Sequence, residues 1–199
     1  MKELLYLISP LAENFPIDEK ADYIGVDAGF EKILAAGLPC RFALGDFDSL
    51  NRLELPEGLE AIVLPVRKDE TDGQSAMARA VEMGYKTIVF WGSLSGRLDH
   101  TLANLRLISC HFPQVILQDE SNQARVLLKG THKFTRNWKH ISFFALENSE
   151  ISLKGFEYPL ENAKIDDRTV FTVSNSVKDG SAEAVVHAGR ILCIQSNCR

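Results

Sequence analysis

Asp46 and Asp48 stand two residues apart in Gly45-Asp46-Phe47-Asp48-Ser49, directly after the apolar run Phe42-Ala43-Leu44. On an extended backbone, side chains at i and i+2 leave on the same side, so the two carboxylates would share one face. Neighbouring carboxylates repel unless a cation neutralises them, and hard divalent cations such as Mg²⁺ take oxygen ligands. Gly45 removes the Cβ that would crowd a ligand or a tight turn. A solvated turn also explains an isolated Asp-x-Asp, because Asp and Ser are ordinary loop residues. The company these residues keep favours a site.

Three more polar sets follow apolar runs in the same way: Asp27-Ala28-Gly29, Lys68-Asp69-Glu70-Thr71-Asp72, and Gly92-Ser93-Leu94-Ser95-Gly96-Arg97-Leu98-Asp99-His100. In open α/β sheets ligands collect outside the carboxyl ends of the strands, so all four sets are expected on one edge. Asp72 stands at or just before a helix N-terminus, where capping and metal ligation are equally open. The small-residue loop Gly92–Gly96 ahead of a helix beginning at Arg97 offers N–H groups to phosphate oxygens. It lacks the G-x-x-x-x-G-K-[ST] of a Walker loop. Arg97 adds a forked donor suited to phosphate. His100 and Asn104 are four apart and share a helix face, as they also would on a plain solvated surface. Later, Ser174-Asn175 ends a strand-like run, and Gly155-Phe156-Glu157-Tyr158-Pro159-Leu160 sets an aromatic beside a rigid proline. A turn and a core aromatic explain that pair equally well.

The elements that must position these groups follow from periodicity. Leu4–Ser9, Tyr23–Asp27, Arg41–Gly45, Ala61–Val66, Thr87–Gly92 and Val115–Gln118 read as buried strands. Helices are predicted over Gly29–Ala36, closed by Gly37 and Pro39, over Gly73–Met83 with Met77, Ala80, Val81 and Gly84 on one face, and over Arg97–Cys110 with Leu98, Leu102, Leu105 and Ile108 on one face. Apolar strands alternating with helices imply an α/β domain: a parallel sheet covered on both faces, in three layers. Beyond residue 121 the helical period is lost. Ala124–Leu128, His140–Leu146, Ile151–Leu153, Thr169–Val173, Ala184–His187 and Arg190–Gln195 read as short strands of an all-β domain, a small sandwich or barrel, with the boundary near Gln118–Asn122.

The chain has 199 residues, 45% hydrophobic and 25% charged, with a net charge of −5, the make-up of an ordinary globular protein. The acidic balance argues against a nucleic-acid-binding surface and requires metal or local Lys/Arg to neutralise an anionic substrate. Of the four cysteines, Cys40, Cys110 and Cys193 have apolar neighbours and read as small buried hydrophobes; no C-x-x-C pattern is present. No apolar run approaches a membrane span or a secretory h-region, which reads as a cytoplasmic, reduced protein.

The ordered set D-x-G, G-D-F-D-S, K-D-x-T-D, G-x-x-x-G-R-x-D-H-x-x-x-N, G-x-x-Y-P-L and a late S-N resembles the thiamine pyrophosphokinase family, from position 27 to position 175. The resemblance implies an ATP- and metal-binding α/β domain over 1–120, a thiamine-binding β-sandwich over 121–199, and a homodimer with active sites between subunits. It implies transfer of the terminal diphosphate of ATP to the thiamine hydroxyl with Mg²⁺, releasing AMP. Carried over by motif, Asp46, Asp48 and Asp72 hold metal, and Asp27, Gly29, Gly45, Lys68, Asp69, Thr71, Ser93, Gly96, Arg97, His100 and Asn104 lie on the ATP side. Asp99 lies close to ATP and the thiamine hydroxyl, Tyr158 stacks on the pyrimidine, and Ser174 and Asn175 hold its aminopyrimidine edge. Ala28, Gly73, Ser95 and Arg168-Thr169-Val170 depart from the family pattern without removing a carboxylate. The competing readings are a metal-dependent phosphohydrolase or nucleotidyltransferase using the same acids, and a non-catalytic thiamine or nucleotide sensor.

Overall fold

Strands that are apolar on both sides need cover on both faces, and the first part of the chain supplies it with helices. The computed structural model describes residues 3–47, 56–65 and 69–197. It divides into two units, Met1–Glu120 and Ser121–Arg199. In the first, β1 (Leu4–Ile8), β2 (Asp22–Val26), β3 (Cys40–Gly45), β4 (Ala61–Val63), β5 (Thr87–Trp91) and β6 (Val115–Gln118) alternate with α1 (Gly29–Ala35), α2 (Asp72–Glu82) and α3 (Leu98–Cys110). The sheet order is β4-β3-β2-β1-β5-β6, and every neighbouring pair is parallel. The chain steps outward from β1 to β4, then returns to the other side of β1 at β5. That reversal opens a crevice above β1 and β5, the position at which such sheets bind ligands. The predicted strand over Ala61–Val66 ends at Val63 among the described residues, and Val66 lies outside them.

Tyr6, Ile8, Tyr23, Val89 and Trp91 form one apolar face with Ile33 of α1. Alternation turns Phe90 to the other face, where α2 begins: a Cβ on Gly73 would lie 3.0 Å from the Phe90 ring. This close approach accounts for glycine near a helix start. On α2, Ala76, Met77 and Ala80 are buried. The stripe predicted on α3 is only partly buried. Ile108 is inside with Leu107, but Leu98 is 81% and Leu102 54% exposed. In the first turns of α3 the inward face is occupied by His100, Ala103 and Asn104, which line a cleft.

The second unit pairs β7 (Asn122–Leu127), β13 (Ile191–Ser196) and β9 (His140–Ala145) antiparallel in the order β7-β13-β9. A second antiparallel sheet runs β11-β10-β12-β8, built from β8 (Gly130–Thr135), β10 (Ser149–Lys154), β11 (Leu160–Ile165) and β12 (Ser181–Ala188). One apolar core joins inward residues of both sheets, with Phe134, Phe143 and Phe156 at ring separations of 5.5 to 5.8 Å. That is a β-sandwich. β8 and β11 escape the sequence reading because they are edge strands in which Phe134 and Ile165 are the buried residues. The predicted strand at Thr169–Val173 is a loop. Its apolar Val170 and Phe171 face outward, 70% and 68% exposed, so periodicity there reports something other than a core.

Cys193 is buried as predicted, and burial pushes its thiol up to about 12. Cys110 is exposed at the end of α3 and Cys40 is half-buried, so the expectation of three buried cysteines holds only in part. No helix among the described residues is long and apolar enough to cross a membrane.

Candidate functional site

Two strand ends and a helix start bring acids together. Asp27 follows β2, Asp46 follows β3, and Asp72 opens α2; one carboxylate oxygen from each lies within 4.8 Å of the others, and all three are half-buried. Divalent cations bind oxygens at about 2.0–2.6 Å, so a single ion can reach three oxygens this close. The donor set therefore fits a hard cation. Asp27, placed on the ATP side from sequence, stands with Asp46 and Asp72 in this cluster. Asp48 and Ser49 lie outside the described residues, as does Lys68.

The backbone explains why these acids converge. A Cβ on Gly45 would lie 2.9 Å from both Cα and Oδ1 of Asp27, so glycine is what allows β2 and β3 to end this closely. The Asp27 N–H donates to the Leu44 carbonyl at 2.8 Å, and Asp27 sits at φ 54°. Phe47 is left-handed too, at φ 52°, an unusual conformation for a bulky residue. It is held there by burial at 8% exposure against Phe30, rings 6.4 Å apart and edge to face. Its buried ring thus anchors the backbone next to Asp46. Strained backbone costs of order 1–3 kcal/mol per residue and gathers at functional sites. Gly29 has a packing reason of its own: a Cβ there would lie 1.8 Å from the Ile8 carbonyl oxygen, so glycine lets α1 pack on β1. The capping alternative for Asp72 is also decided. Thr71 is the N-cap, its Oγ1 accepting the Gln74 N–H at 3.1 Å.

Between β5 and α3 the loop is tied at several points. Ser93 Oγ donates to the Phe90 carbonyl at 2.6 Å, and Asn104 Nδ2 donates to the Ser93 carbonyl at 2.8 Å. Gly96 turns at φ 83°, open to glycine at no cost. Arg97 then grips Asp99 with two bonds, Nε to Oδ1 at 3.1 Å and Nη2 to Oδ2 at 2.6 Å, and Asp99 Oδ1 also accepts the His100 N–H. The Arg97 guanidinium and that N–H hold the Asp99 carboxyl below its usual range, while Asp99 raises Arg97. A carboxylate held this way is a weak base and a good anchor for a donor.

A cleft of about 360 Å³ lies at the β1/β5 reversal. Asp27, Thr71, Asp72, Ser93, His100 and Asn104 line it. Arg97, Asp99, Gly96, Asp69 and Gly45 are outside its lining; Arg97, Asp99, Gly96 and Asp69 are exposed and Gly45 is buried beside Asp27. Ser9 and Pro10, at the end of β1, also line the cleft and escaped the sequence reading. The signal was available in a polar residue straight after an apolar strand. That β1 neighbours β5 was not.

In the second unit, Tyr158 is 67% exposed, which removes the core-aromatic alternative. Asn175 holds its backbone at both ends: Oδ1 accepts the Tyr158 N–H at 3.0 Å and Nδ2 donates to the Tyr158 carbonyl at 2.8 Å. Asn175 is 3% exposed, and its Oδ1 also accepts the Ser176 N–H, so its amide positions the Tyr158 turn. Ser174, exposed at φ 60°, remains available on the surface. Tyr158, Phe171 and Val173 rim a small hollow of about 50 Å³, and Phe171 is a candidate contact the sequence reading did not name.

The thiamin pyrophosphokinase catalytic-domain model matches residues 17–117, and the thiamin pyrophosphokinase vitamin B1 binding-domain model matches residues 131–190. The chain belongs to the thiamin pyrophosphokinase family. It is 30% identical over 190 residues to the thiamine pyrophosphokinase of Bacillus subtilis strain 168, covering 90% of this chain and 89% of that protein. Among solved structures it resembles thiamine pyrophosphokinase from Bacillus subtilis, with a TM-score of 0.86 at 27% identity over 98% of this chain and 99% of that one. It also resembles a thiamin pyrophosphokinase family protein from Enterococcus faecalis, with a TM-score of 0.85 at 29% identity over 99% and 100%. The two family models fall one on each unit, the catalytic one over the carboxylates and most of the cleft, the vitamin B1 one over Tyr158 and Asn175.

Proposed function

We propose that this chain is a thiamine diphosphokinase, moving the terminal diphosphate of ATP onto the hydroxyl of thiamine and releasing AMP. The observation that carries the reading is the convergence, in a member of this family, of Asp27, Asp46 and Asp72 beside a cleft at the β1/β5 reversal. Attack by an alcohol on the β-phosphorus of ATP, with AMP as the leaving group, needs alignment and charge neutralisation more than covalent chemistry. Mg²⁺, held by these three carboxylates, would neutralise and polarise the phosphate oxygens. The loop from Ser93 to Gly96 offers N–H groups to the phosphates, and His100 and Asn104 border the same space. Asp99, kept ionised by Arg97, receives the hydroxyl hydrogen bond and orients the nucleophile. Tyr158 supplies a ring face suited to a cationic aromatic.

We further propose a homodimer whose sites draw on both subunits, working in the cytoplasm where ATP is abundant. A monomer in light scattering would contradict the first part. The activity is tested by incubating the protein with ATP, Mg²⁺ and thiamine and resolving the products: AMP and thiamine diphosphate in equal amounts support the reading, and ADP overturns it.

A further inference from the structure

Ser95 is a departure from the family pattern, and the structure gives it a partner. Its Oγ donates to Oδ2 of Asp119 at 3.4 Å. Asp119 follows the last residue of β6 and is 6% exposed. The other end of the same loop is tied to the same strand end, Gly92 N–H donating to the Gln118 carbonyl at 2.7 Å. A buried carboxylate is costly, and one close to an anion-binding loop opposes the charge of the ligand. On electrostatic grounds alone this position should disfavour an acid.

We propose that Asp119 is a positioning residue, acting through the Ser95 hydroxyl to hold the loop that presents its N–H groups to the phosphates of ATP. Gly92 on Gln118 and Ser95 on Asp119 clamp both ends of the loop to β6, and Asn104 on Ser93 braces its middle. The glycine at 96 needs such a clamp, because glycine adds chain freedom that would otherwise be lost on binding. This rests on the ATP reading of the cleft.

Three variants test it: Ser95→Ala, Asp119→Ala and Asp119→Asn. One hydrogen bond is worth up to about tenfold in affinity, so Ser95→Ala and Asp119→Ala should each raise the ATP KM ~5-fold or more, with the thiamine KM unchanged. The double Ala variant should be no worse than the poorer single one, because both remove the same contact. Asp119→Asn keeps an acceptor for Ser95 while removing the charge, and should retain most of the affinity. Calorimetric titration of ATP into each variant gives the same comparison without turnover, so a protein inactive on thiamine would overturn the proposed function while leaving this inference testable. An unchanged ATP affinity in Ser95→Ala, an additive double variant, or Asp119→Asn as damaging as Asp119→Ala would each overturn it. So would an ATP KM that falls in Asp119→Ala, which is what charge repulsion alone predicts.

Discussion

Gly45→Ala separates local propensity from site geometry. Glycine inside a strand is unfavourable by roughly 0.5–1 kcal/mol relative to alanine, so on local grounds the substitution should stabilise β3. The structure predicts the reverse for function. The new Cβ would lie 2.9 Å from Cα and Oδ1 of Asp27 and 3.1 Å from its N, and Asp27 must give way by about half an ångström to reach ordinary contact. It cannot retreat freely: its N–H is bonded to Leu44 and its backbone is already left-handed. A displacement of about 1 Å in a positioning group can cost ~100-fold, so half of that should lower kcat on the order of 10-fold. The Mg²⁺ concentration for half-maximal rate should rise, because Asp27 supplies one of the three carboxylates. The assay is steady-state turnover at saturating ATP and thiamine across a Mg²⁺ titration, with melting temperature measured on the same samples. A folded Gly45→Ala variant with unchanged turnover and an unchanged Mg²⁺ midpoint would refute the packing argument and Asp27's place in the site.

Asp46→Asn should lower turnover ~100-fold while leaving the fold intact, since it removes a ligand charge; near-normal rates at saturating Mg²⁺ would contradict this. Tyr158→Ala should raise the thiamine KM ~10-fold with little change in ATP KM or melting temperature, and Tyr158→Phe should be mild, because the ring face carries the contact. A large drop in melting temperature with an unchanged thiamine KM would return Tyr158 to a packing role. Asp99 is held low by Arg97, so its favourable pairing is present above the ordinary carboxylate range and is lost as pH falls through its lowered folded value. Carbon NMR should show the Asp99 carboxyl titrating below an unperturbed Asp and moving back up in Arg97→Gln; equal midpoints would remove the pair. Iodoacetamide should modify exposed Cys110 in the native protein and leave Cys193, with its thiol at about 12, untouched until unfolding, as peptide mapping would show.

What was legible in the sequence was what periodicity and strand-end position encode. The apolar runs became β1 to β6, and the polar residues after β2, β3 and β5, together with those opening α2, met at one edge because a parallel sheet aligns its strand ends. The loss of helical period marked the second unit as all-β, and the family resemblance made it a sandwich, which its two antiparallel sheets form. Neighbour relations were not legible. Ser9 borders the cleft only because β1 pairs with β5, and Asp119 meets Ser95 only because β6 pairs with β5. Edge strands β8 and β11 carry too few buried residues to show a pattern. Val170 and Phe171 looked like strand residues because an exposed apolar surface and a core use the same side chains. Asn175 and Gly29 show the same limit at single positions: a motif identifies a needed residue without saying whether it touches a ligand or shapes the backbone that does.

The central claim is tested most directly by following each phosphorus of ATP. With thiamine, Mg²⁺ and ATP labelled separately at the α and γ positions, the account predicts all α-label in AMP and all γ-label in thiamine diphosphate. An α-label on the thiamine product would mean nucleotidyl transfer, and γ-label released as phosphate with ADP would mean hydrolysis; either result contradicts it.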